Sequence, residues 1–112
     1  MSFNQYQSEF WTGEILDVKV MSIKEYMVSE GKDQYLKDFE NADKESIILY
    51  VDDEGFARSF IVGSNPKTTR AYRNSNVKKL IDRNGLPSEI KDWVGKVVKL
   101  TANSKGYTEL YL

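Results

Sequence analysis

The sequence predicts an all-β domain with one short helix, built as a small closed barrel of five antiparallel strands. Three observations lead there. Five short stretches rich in Val, Ile, Leu and Tyr alternate apolar and polar positions with a period of two, the pattern of half-buried strands. A stretch after Ser75 carries apolar residues at helical spacing, and it falls between the third and fourth strands. At 112 residues the chain has the size of one domain, read as spanning 1–112. A short sheet of that size gains from closing on itself, because closure removes exposed edges.

Residues 1–11 are polar with Phe3, Tyr6, Phe10 and Trp11 interspersed, and read as a lead-in arm. Gly13 to Ile23 is the first strand, its Leu16, Val18 and Val20 set expected to face inward against Ile15, Asp17, Lys19 and Met21. Residues 24–45 are mostly charged. They read either as a long loop or as a loop with a short helix carrying Tyr35, Leu36 and Phe39. Ser46–Val51 and Phe56–Gly63 form a hairpin joined by Asp52, Asp53, Glu54 and Gly55, whose chemistry suits a tight turn. On its first strand Ile47, Leu49 and Val51 share one face and Ile48 and Tyr50 the other. Asn65 and Pro66 end the second strand, since proline lacks the ladder donor.

A basic connector, residues 67–73, leads to the helix. Ser75 or Asn76 caps it, Val77, Leu80 and Ile81 form its apolar side, and Gly85 stops it. Pro87 and Ser88 open a second short turn carrying Ile90 and Trp93, ended by Gly95. Lys96–Ala102 is the fourth strand, Asn103–Gly106 a turn, and Tyr107–Leu112 the fifth strand. Strand, long connection, hairpin, helix and two more strands is the order of the five-stranded OB-fold barrel, with its helix between strands 3 and 4. An SH3-like barrel is the next candidate and a generic α+β sheet the third.

Composition excludes much chemistry. With no cysteine and no histidine, disulfides, cysteine zinc sites, histidine triads and histidine zinc enzymes all fall away. No phosphate-cradling glycine loop is present. Asp52, Asp53 and Glu54 are adjacent acids, but a hairpin turn favours them as solvated turn formers over metal ligands. Neither an enzyme nor a cofactor is expected. Residues 1–10 have no basic patch and no apolar run, so no signal peptide is expected. No stretch reaches the ~18 apolar residues of a membrane span, so a cytoplasmic location is read and no membrane partner.

Net charge is -1, yet its distribution is uneven. Residues 24–54 hold ten acids and four bases, giving -6, while residues 55–112 hold eleven bases and four acids, giving +7. Either the two halves share a surface and their charges mingle, or the basic half lines a positive groove in an acidic protein. A groove for single-stranded nucleic acid needs cations for phosphates and flat rings for splayed bases. The hairpin offers Tyr50, Phe56, Arg58 and Phe60. The connector adds Lys67, Arg70, Tyr72 and Arg73, and the last two strands add Lys96, Lys99, Lys105 and Tyr107. Each has an ordinary alternative. Phe56 and Phe60 suit a core better than a contact surface. Arg58 is either part of an open platform, the reading preferred here, or a snorkelling side chain. Arg70 and Arg73 also suit plain surface positions. Trp11 and Trp93 read as structural. Oligonucleotide binding without strong sequence preference is the function expected. A protein–protein adaptor, or a structural component on a small barrel, is the alternative.

The segment from Asn76 to Leu112 carries a resemblance. A short helix is followed by Asp92–Trp93–Val94–Gly95–Lys96 running directly into a Val/Leu strand. In this it resembles the small single-stranded DNA-binding proteins of tailed phages infecting Gram-positive bacteria, the lactococcal phage type. The likeness covers the last third by motif and the rest by strand order. It implies an OB-fold, a homodimer in the host cytoplasm, and protection of single-stranded DNA during phage replication or recombination. Contact with phage or host recombination proteins is implied too. It further implies that Trp93 and Gly95 matter to the fold and that DNA lies on the barrel face of strands two and three.

Overall fold

A computed structural model describes residues 10–39, 42–64 and 75–112. It is mostly β: five antiparallel strands form one sheet, curled into a nearly closed, OB-like barrel. The strands are β1 (Trp11–Ser22), β2 (Glu45–Asp53), β3 (Phe56–Ser64), β4 (Val97–Ala102) and β5 (Thr108–Leu110). They run in the order β3-β2-β1-β4-β5, so β3 and β5 are the two sheet edges. Helix α2 (Ser75–Asn84) lies in sequence between β3 and β4, as expected. The expectation of one helix is corrected by α1 (Ile23–Ser29), which follows β1 without a break. Among the described residues no helix is long and apolar enough to cross a membrane.

Alternation places the core. Ile47, Leu49 and Val51 of β2 face inward with Ile15, Val98, Leu100 and Leu110. Val77 and Leu80 of α2 close this core, with Ile81 packed beside them, and Trp93 is buried in it. The Trp93 indole N–H donates to the Pro87 carbonyl at 2.7 Å, which satisfies the one polar atom of a fully buried ring. Gly95 then donates its N–H to Ile15 O, and Ile15 N–H to Lys96 O, which ties this turn to β1.

The inward set expected for β1 is corrected. A bulge between Ile15 and Asp17 leaves Leu16 unpaired, and the side-chain parity flips across it. Ile15 is sealed, Leu16 and Val20 are exposed, and Val18 packs on the core as expected. Gly13 sits where β1 passes tightly between its neighbours: a β-carbon there would lie 2.6 Å from both Asp52 O and Val51 Cγ1. No larger residue fits without moving backbone.

The outer face of the hairpin is covered, and the covering comes from the acidic segment. Ser22 and Glu25 form a reciprocal capping box that starts α1. Tyr26 and Met27 of α1 bury Ile48, with Ile61 and Tyr50 packed alongside. The Tyr26 and Ser59 hydroxyls are hydrogen-bonded. A 3-10 turn at Asp33–Asp38 stands in the segment read either as a long loop or as a loop with a short Tyr35/Leu36/Phe39 helix. Leu36 and Phe39, three apart, lie on the packed side and Tyr35 faces solvent. Thus β2 is buried on both faces, which is why it reads as a continuous apolar run.

Candidate nucleic-acid interface

The β2–β3 hairpin positions the first candidates. Asp53 pairs with Phe56, so the loop is the two residues Glu54 and Gly55, with φ of 51° and 96°. Two positive φ values give a turn that matches strand twist. Asp53 therefore belongs to β2 and is not a solvated turn residue: it is 6% exposed. Its carboxylate accepts the Arg58 Nε–H at 2.5 Å and the Trp11 indole N–H at 2.8 Å. The Arg58 hydrogen bond, reinforced by that from Trp11, holds the Asp53 carboxyl below the usual carboxylate range. Trp11 is structural, as expected, through this bond.

Arg58 is thus not the unpaired cation of an open platform. It spans the gap between a buried carboxylate and solvent, with its side chain 44% exposed and its guanidinium carbon 5.9 Å from the centre of the Phe56 ring. Asp53 engages its Nε, and a guanidinium carries four further N–H donors. Phe56 overturns the core reading. It shares the inward parity of Leu49 and Val51 through its partner Asp53, but it lies beyond the last apolar row of the barrel and is 71% exposed. Phe60, opposite Leu49, is half-buried against the core, in keeping with the core reading.

Tyr50 lies on the covered side. It is half-buried among the side chains under α1, with the Lys19 ammonium 5.3 Å from its ring centre. Burial first, then the nearby Glu30 carboxylate, pushes its phenol pKa up. The face of strands two and three where a strand was expected is therefore occupied by this chain's own α1. Exposed Glu25, Glu30, Asp33 and Asp38 line that cover.

The open surface lies elsewhere. Glu14 pairs with Asp52 on β2, and Trp11 with Leu100 on β4, so the β2–β3 and β4–β5 turns emerge at the same end of β1. There Tyr107 is 69% exposed and Lys105 is exposed beside it. Asn103 accepts the backbone N–H groups of both and so fixes the turn. Between the edges β3 and β5 runs a groove in two connected parts that share Phe60. One, of about 290 Å³, is polar and includes Lys32, Glu30, Arg58 and Thr108. The other, of about 540 Å³, includes Phe60, Leu110, Tyr111 and Leu112.

The structure therefore gathers Phe56, Arg58, Phe60, Tyr107 and Lys105 around one end and one seam. Lys96 stands apart at the opposite end of β4 from Lys105. Lys99 faces away from the barrel interior, over the ring of Phe10. Lys67, Arg70, Tyr72 and Arg73 lie outside the described residues. The seam itself is invisible in sequence, since it depends on which strands fail to pair. Among the described residues no three carboxylates converge as a metal site. Comparisons with family models, curated proteins and solved structures find no match to this chain, so its geometry alone defines the site.

Proposed function

We propose that this chain binds single-stranded DNA without strong sequence preference, along the β3–β5 groove and over the barrel end, protecting it during phage replication or recombination. The observation that carries the reading is the exposed Phe56 ring with the Arg58 guanidinium over it, at the mouth of a groove that Phe60 floors. A solvent-exposed phenylalanine at a hairpin tip contributes nothing to the core. Flanked by a cation, it is suited to stack a base while the cation meets the phosphate, and such stacking tolerates any base. Tyr107 and Lys105 on the neighbouring turn repeat the combination of ring and cation. The likeness of residues 76–112 to phage single-strand binders agrees with this reading.

A fluorescence titration with labelled oligo-dT of about 30 nucleotides, long enough to exceed one barrel's site size, tests the proposal. Binding is expected at about 50 mM salt, weakening with a log–log slope of about -2 or steeper, as for three or more phosphate contacts. No binding at that salt would overturn it. The adaptor reading has its own support, in the two sheet edges β3 and β5, unpaired among the described residues, and in the acidic cover. A protein partner recovered by pull-down, with oligonucleotides silent, would favour it.

A further inference from the structure

We infer that the bound strand does not end in the groove but continues around the edge of β5 onto a second contact surface, a ladder of alternating cations and rings on the outer side of β4. This rests on the proposed single-strand binding. Four side chains from four separate segments build the ladder. The Lys99 ammonium lies 5.0 Å from the centre of the Phe10 ring. Phe10 stacks on Tyr111, with centroids 5.3 Å apart and planes 27° apart. The Arg83 guanidinium carbon lies 5.9 Å from the centre of Tyr111.

The arrangement is fixed by backbone. Asn84, at the end of α2, donates to Leu80 O and accepts the Lys99 N–H at 2.8 Å, so the helix end that carries Arg83 is held against β4. Tyr111 donates its own N–H to Lys99 O at 2.9 Å. These bonds fix the backbone from which both cations project, and the ring contacts hold the charged ends, which lowers the ordering cost of binding.

Two features point to a polyanion with flat groups. Among the described residues neither Lys99 nor Arg83 forms an ion pair; their close charged-group contacts are the ring faces. Glu109 shares this side of the sheet through its pairing with Thr101, yet is bonded to neither cation. Asp82, next to Arg83, is engaged by Lys78 at 3.2 Å. Cations held on rings keep their charge available to a phosphate. Phe10, in contact with both Lys99 and Tyr111, is still 42% exposed. An acidic peptide would use the cations but not the ring. Continuity supplies the path: Tyr111 lines the larger part of the groove and is also the centre of the ladder.

Oligonucleotide length separates this surface from the groove. Wild type, Arg83→Gln and Phe10→Ala are titrated with oligo-dT of about 6 and about 30 nucleotides, bracketing the site sizes of single barrels. For both variants the short oligonucleotide is expected to bind as wild type and the long one about 5- to 10-fold more weakly. Arg83→Gln should also flatten the long-oligonucleotide salt slope by about 0.7, the loss of one phosphate contact. Arg83 is exposed, so its variant keeps the fold, and its melting curve serves as the check. Unchanged affinity at both lengths, or equal loss at both, overturns the inference while leaving the groove reading intact. Polyglutamate competing with the long oligonucleotide at equal charge overturns it in favour of an acidic protein partner. Failure of wild type to bind either length is the distinct result that removes the groove reading and the ladder with it.

Discussion

Trp93→Ala is expected to cost about 3–5 kcal/mol of folding stability, the range for truncating a large core aromatic. Total stability of a domain this size is about 5–15 kcal/mol, so the variant should sit near or past the edge of folding. The argument is local. Trp93 is fully buried, packs between the α2 side of the core and the barrel strands, and gives its only polar atom to Pro87 O. Alanine leaves a large cavity and an unpaired carbonyl. Urea melts followed by circular dichroism give the number, and a loss below about 1 kcal/mol would contradict the burial of this ring. Trp93→Phe fills much of the space but cannot donate to Pro87. It is expected to cost about 1–2 kcal/mol, with Trp11 as the remaining fluorophore.

Asp53→Asn is expected to cost about 2–3 kcal/mol at pH 7, because charge-assisted hydrogen bonds to two partners become neutral ones. The cost should depend on pH with a definite sign. The folded-state pKa of Asp53 is depressed by Arg58 and then by Trp11. Its stabilisation is therefore fully present above the unfolded carboxylate value of about 3.9 and is lost as pH falls through the lower folded value. Thermal melts of wild type and Asp53→Asn should differ at pH 7 and converge on acidification below about pH 4. A gap that stays constant down to pH 2 would show that the ionised carboxylate is not the stabilising form. The same pair changes how Arg58 is used as a probe. Arg58→Ala leaves a buried carboxylate with the Trp11 N–H as its remaining side-chain partner among the described residues, so it lowers stability as well as removing a proposed phosphate contact.

What was legible in the sequence was local. The β2–β3 hairpin, α2 with its Val77/Leu80/Ile81 side, and the Trp93–Gly95 turn all follow from period, turn chemistry and spacing within about ten residues. The order of elements then led to the barrel. β1 was misread because a bulge at Leu16 reverses parity, and nothing in an alternating run announces one. α1 carried a signal that went unused: Ser22 and Glu25 have the spacing of a capping box, immediately ahead of Tyr26 and Met27. The charged stretch that follows it concealed a short apolar side of Ile23, Tyr26 and Met27. The site was the least legible part. Phe56 has the parity of a core residue and escapes the core because the barrel ends beneath it. Asp53 looks like turn chemistry until Trp11, 42 positions away, is brought against it. The pairing of Lys99 with Phe10 and of Arg83 with Tyr111 likewise depends on four segments meeting, which no short-range pattern records.

The central claim is that a single strand uses the open end and seam of the barrel, not the hairpin face beneath α1. Titrating the 30-nucleotide oligo-dT against Phe56→Ala and Tyr50→Ala tests this most directly. Phe56→Ala should raise Kd about 10-fold, within the 1–3 kcal/mol of a stacked base, with its melting curve unchanged. Tyr50→Ala should lower the melting temperature, since it strips packing from under α1, and leave Kd within about twofold once folded protein is compared. Tyr50→Ala weakening binding while Phe56→Ala does not would contradict the claim and return the strand to the covered face.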